Sequence, residues 1–115
     1  MEKTLKLIKK EITLNLDHKD HMREKVMPAC RDVVRMASGI IKEVHRHNWD
    51  NAKKDLQKAA KSITEIQKML AKEPDLRHAG FVTMAEKEYA EAAITLAVLG
   101  DKRLPTPAEL LVPVP

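Results

Sequence analysis

A run of apolar residues at helical spacing constrains this chain more than any other feature. Met22, Val26, Cys30, Val33, Ala37, Ile40 and Val44 follow one another in alternating steps of four and three. Such steps return to one side of an α-helix, so these residues form a single stripe that needs burial. Ala52, Leu56, Ala59, Ile63, Ile66 and Leu70 repeat the pattern, and so do Val82, Ala85, Tyr89, Ala92, Leu96 and Leu99. The expected fold is an all-α antiparallel bundle of long helices over about residues 18–47, 50–73 and 79–99. Asn48 or Asp50 suits the cap of the second helix, Pro74 forbids its continuation, and Gly100 supplies a left-handed stop for the third.

Three stretches fit this pattern less simply. Pro28 lies inside the first helix and removes a backbone donor, which predicts a kink, because Met22 and Val26 keep the register on its N-terminal side. Residues 1–16 form an amphipathic lead-in: Leu5, Ile8 and Ile12 suit a helix face, whereas Ile12, Leu14 and Leu16 alternate like a strand. Thr106-Pro107-Ala108-Glu109 is a capping box with proline at the first helical position, so a short helix is expected to start at 107. Its position just before the last residue, Pro115, leads us to expect a partial domain over 17–115, a fragment of a larger helical fold.

Composition excludes several classes. With 43% hydrophobic and 33% charged residues, the 115-residue chain has the balance of one globular domain rather than of a disordered tail. The apolar run Ala92–Leu99 is far short of the roughly 20 residues a bilayer requires, so no membrane partner is expected. Met1 opens into Glu2-Lys3-Thr4-Leu5-Lys6, unlike a secretory signal, which makes the cytoplasm the expected location. The lone Cys30 fits a reducing compartment and excludes a cysteine zinc knuckle. A net charge of +4 permits anionic partners. Because Trp49, Phe81 and Tyr89 are the only aromatics, any nucleic acid would be held through phosphates rather than by stacking.

Few residues combine into chemistry. Glu88 and Glu91 lie three apart, which places both carboxylates on one side of the third helix, where they could share a divalent cation or simply form a solvated face with Glu86 and Lys87. His18 and His21, with Asp17 and Asp20, have metal-ligand spacing but read equally as a polar helix start capped by Asp17. Arg77 and His78 open the third helix, where an N-terminus flanked by arginine suits a phosphate. Basic residues are spread along the first helix (Arg23, Lys25, Arg31, Arg35) and the second (Lys53, Lys54, Lys58, Lys61), as solvation or as a phosphate track. No nucleophile with a paired base and no glycine-rich phosphate loop is present, and Cys30 sits on the apolar stripe.

Certain strings resemble a known family. Cys30-Arg31-Asp32-Val33-Val34-Arg35, Ile40 to Arg46, Ala79-Gly80-Phe81-Val82 leading into Glu88-Tyr89-Ala90-Glu91-Ala92-Ala93, and Leu104 to Leu110 are together similar to the translin superfamily from about Met22 onward. The Glu-Tyr-x-Glu-Ala string resembles the translin-associated factor X (TRAX) type. That resemblance implies an all-α protomer of a hollow homo-oligomer, octameric at full length, acting on single-stranded RNA or DNA. It also implies that Glu88 and Glu91 are catalytic, Mg²⁺-binding carboxylates of an endoribonuclease whose other acidic ligands lie on a later helix. Arg77, His78, Arg31 and Arg35 are the candidate nucleic-acid contacts. The alternatives are a non-catalytic oligonucleotide-binding or assembly scaffold of the same superfamily, and a helical interaction module outside it.

Overall fold

The computed structural model describes residues 1–101 and 110–111. It is all-α: α1 spans Glu2–His45, α2 Trp49–Met69, α3 Pro74–Arg77 and α4 Gly80–Leu96, the last continuing into a π-helical turn over Ala97–Asp101. Among the described residues there are no strands, and no helix is long and apolar enough to cross a membrane. The capping box at 106–109 lies outside the described residues.

The first helix starts far earlier than the apolar pattern alone predicts, at Glu2 rather than near residue 18. Its 44 residues, rising about 1.5 Å each, account for nearly all of the molecule's 68 Å length. Asp17 is consequently a mid-helix residue and not a cap, and the strand-like alternation of Ile12, Leu14 and Leu16 is overridden by helix. The helix also runs through Pro28 without a break. The carbonyl that loses its partner there belongs to Glu24, and Glu24 and Pro28 are both exposed, so water can satisfy it.

The turn from α1 to α2 is a Schellman arrangement. His47 adopts φ 61°, its N–H reaches the Val44 carbonyl at 3.0 Å, and the Asn48 N–H reaches Glu43 at 2.9 Å. Asn48 is the N-cap of α2 by position only, since its side-chain amide donates back to Glu43 Oε2 at 2.8 Å. At its far end α2 stops at Met69, four residues before the expected Glu73. Glu73 is forced toward an extended backbone by the following proline (φ −126°, ψ 75°), and buried Leu70 anchors the turn that results. Pro74 then opens α3 at its first position.

α1 is the spine, packing along both α2 and α4. The core joins Val26, Cys30, Val33, Ala37, Ile40 and Val44 of α1 to Ala52, Ala59, Ile63, Ile66 and Leu70, and to Val82, Ala85, Tyr89, Ala92 and Leu96. Alanines 37, 52, 59, 85 and 92 are fully buried, so the helices approach closely and a core nearly without aromatics still closes. Gly100 does not supply the expected left-handed stop, because no described glycine has positive φ. A Cβ at Gly100 would sit 3.4 Å from Leu96 and 3.5 Å from the Trp49 ring, ordinary van der Waals contact that a small side chain can make.

Candidate nucleic-acid interface

The candidate residues fall on three different faces. Glu88 is half-buried and Glu91 exposed, one turn apart on α4. Among the described residues no group of three or more histidine, cysteine, aspartate or glutamate side chains could hold a metal ion. Magnesium takes six oxygen ligands and commonly uses one or two carboxylates with water and substrate phosphate. Glu88 and Glu91 are therefore a partial set that leaves the remaining donors to come from elsewhere, and no catalytic step follows from them. His18 is also engaged, with Nε2 2.9 Å from Glu73 Oε1, while His21 is exposed.

The carboxylate that sequence reasoning grouped with the solvated face is the one the fold buries. Glu86 is 4% exposed and receives a two-pronged contact from Arg77, with Nη1 to Oε1 at 3.2 Å and Nη2 to Oε2 at 3.1 Å. Gln67 Nε2 donates to Glu86 Oε2 at 2.8 Å and to the Leu111 carbonyl at 2.8 Å, tying α2, α3, α4 and the C-terminal segment together. The signal was present in the spacing: Glu86 follows Val82 by four and precedes Tyr89 by three, which sets it on the edge of the buried stripe. Arg77 is thereby turned inward and committed to a carboxylate. His78 is exposed at the C-terminal end of α3 and is not at the start of α4, whose N-cap is Ala79.

On α1, Arg31 and Arg35 are exposed, and Arg35 pairs with Asp32 at 2.7 Å. Arg31 also borders a shallow cleft of about 200 Å³ lined by Met27, Cys30, Val34, Phe81 and Met84. Cys30 beneath it is buried, and burial, with the nearby Glu86 charge, pushes its thiol up to about 11. It is a packing residue rather than a nucleophile.

The clearest electrostatic feature lies on α2. Lys54, Lys58, Lys61 and Lys68 recur at steps of four, three and seven, all exposed on the side opposite Ala52, Ala59, Ile63 and Ile66. They span about 21 Å at 1.5 Å per residue. None of the four takes part in an ion pair among the described residues, although Asp50 and Glu65 share the outer face. A row of unpaired ammonium groups along a straight helix is suited to a flexible polyanion. Lys68 belongs to this row by the same spacing that picks out Lys54, Lys58 and Lys61.

No family model, curated protein or solved structure matches the chain.

Proposed function

We propose that this protein is a cytoplasmic, translin-type scaffold that binds single-stranded RNA or DNA through the phosphate backbone, along the lysine face of α2. The observation that carries the reading is the row Lys54, Lys58, Lys61 and Lys68, exposed on one side of α2 and in no ion pair among the described residues. The near absence of aromatic platforms favours backbone contacts over base stacking. Four phosphate contacts give a log–log salt slope of roughly −3 for a single strand, so affinity should fall about 50-fold between 50 and 200 mM salt. Binding of a labelled oligonucleotide, followed by anisotropy across salt, tests this. Lys54→Gln, Lys58→Gln and Lys61→Gln together should reduce the slope by about 2. Salt-independent binding, or a loss reproduced by Arg31→Gln with Arg35→Gln and not by the lysine variant, would refute the assignment to α2.

The endoribonuclease reading belongs to the same resemblance and rests on Glu88 and Glu91 standing one turn apart. Here Mg²⁺ would supply charge neutralisation at the scissile phosphate, with ligands beyond this pair. Labelled single-stranded RNA incubated with Mg²⁺ should be cut by a full-length parent that carries the further acidic ligands, spared by its Glu88→Gln/Glu91→Gln variant, and left intact by the present 115 residues alone. RNA left intact by the unaltered full-length parent in both Mg²⁺ and Mn²⁺ would refute the nuclease reading and leave binding.

A further inference from the structure

The corner between α1 and α2 carries a ring pair that the lysine row does not use. His47 holds φ 61°, at the turn position where glycine is the usual residue, and it is exposed. Its imidazole stands edge-on to Trp49, with ring centres 5.3 Å apart and planes at 80°. Trp49 is itself packed against the core, so the tryptophan props the histidine ring in one place at the surface. A side chain in the left-handed region costs energy that glycine would avoid, and the imidazole is therefore held there against the backbone's preference. Around the pair lies an open recess of about 340 Å³ lined by His47, Asn48, Trp49, Asp50 and Asn51.

We propose that this corner holds one unstacked nucleobase of a single strand whose phosphates follow the lysines of α2. The inference rests on the α2 reading above and adds to it the one place where a base, rather than a phosphate, is gripped. Charge decides between the two. No lysine or arginine lines the recess and Asp50 does, so a phosphate is disfavoured there. The flat imidazole and indole surfaces, with the exposed Asn51 amide beside them, suit instead an aromatic ring with polar edges. Cations begin one turn further on. From Trp49 the ridge of every fourth residue runs through Lys53, Gln57 and Lys61, all exposed, in steps of about 6 Å, with Lys54 alongside. A strand anchored by one base at the corner is thus led onto the ammonium groups. The other two aromatics do not offer this: Tyr89 is buried, and Phe81 lines the cleft between α1 and α4.

Trp49 is the chain's only tryptophan, so its fluorescence reports the corner alone. A short single-stranded oligonucleotide should quench that emission. A sugar–phosphate strand of the same length without bases should bind with the same salt slope and leave the emission unquenched. His47→Gly removes the ring while relaxing the backbone. It should keep or raise Tm and weaken oligonucleotide binding about 5-fold or more, the lower end of one base stack, without changing the salt slope or the affinity for the base-free strand. Lys54→Gln/Lys58→Gln/Lys61→Gln should instead lower the slope for both strands. An oligonucleotide bound with a lysine-dependent slope, but with Trp49 emission unchanged or with equal affinity for His47→Gly, would overturn the corner and leave the α2 reading standing. Absence of binding by either strand would overturn both.

Discussion

Replacing Arg77 by alanine tests whether the Arg77–Glu86–Gln67 cluster holds the bundle together or merely decorates it. The Glu86 side chain is 5% exposed and that of Arg77 19%, so the pair is largely withdrawn from water. Removing the guanidinium leaves the carboxylate with one donor, Gln67 Nε2 at 2.8 Å. Breaking a buried ion pair by removing one partner costs about 3–5 kcal/mol, because the remaining charge has lost its compensation. Water reaches the outer part of Arg77, so we place the expected loss at the lower end, about 3 kcal/mol. A loss of that size is a large part of the roughly 5–15 kcal/mol available to a domain and should lower Tm by about 10 °C. Urea unfolding followed by circular dichroism measures it.

The decisive comparison is a double-mutant cycle. Arg77→Met with Glu86→Leu removes both charges and leaves no buried charge unpaired; the cost is one N–H of the part-buried Gln67 amide, whose other N–H retains the Leu111 carbonyl at 2.8 Å. The double variant should therefore be more stable than Arg77→Ala, even though it carries more changes. A cost below about 1 kcal/mol for Arg77→Ala, as for an exposed pair, or additivity of the two single changes, would refute a structural role for the cluster. The same variant decides a functional point. If Arg77 is committed inward, Arg77→Ala studied where it remains folded should leave the salt slope of oligonucleotide binding unchanged.

Three further outcomes follow from individual positions. Gly39, inside α1 with nothing within 4 Å of an added Cβ, should gain about 0.5–1 kcal/mol of stability as Gly39→Ala in urea melts. Gly100→Ala should be neutral or slightly stabilising, because the backbone there is not left-handed and the nearest atom would lie at 3.4 Å; a loss above about 1 kcal/mol would instead indicate a left-handed stop. Cys30 should resist thiol reagents until the protein unfolds. Its thiol is raised in the folded state from 9.0 to about 11, so its contribution is complete at neutral pH and declines as pH rises through that window, a difference of roughly 2–3 kcal/mol measurable against Cys30→Ala.

The helical period was legible because it depends only on which residues avoid water, and that is why the stripes from Val26 to Val44 and from Ala52 to Leu70 match the buried core. The stripe of α4 shows where such reading runs out. Glu86 occupies an edge position on it, and charge alone assigned the residue to solvent, although Arg77 and Gln67, 9 and 19 residues away, make its burial affordable. No local pattern reports a partner that arrives from another element. Helix ends were less legible: Pro74 sets only an outer limit, which α2 falls short of by stopping at Met69, and at Gly100 α4 has passed into a π-helical turn without the left-handed φ that glycine suggested.

Residues 5–16 carry this argument to its limit, since Leu5, Ile8, Ile12 and Leu16 have the same period as the core and yet remain outside it. Periodicity states that a face is to be covered and says nothing of what covers it. Inside the bundle the answer is supplied by α2 and α4, and Asp75 of the short α3 meets α1 at Lys19 with an ion pair at 2.7 Å. Before Lys19 no element among the described residues covers the stripe, so the same period that marks the core marks here only a helix face exposed to solvent.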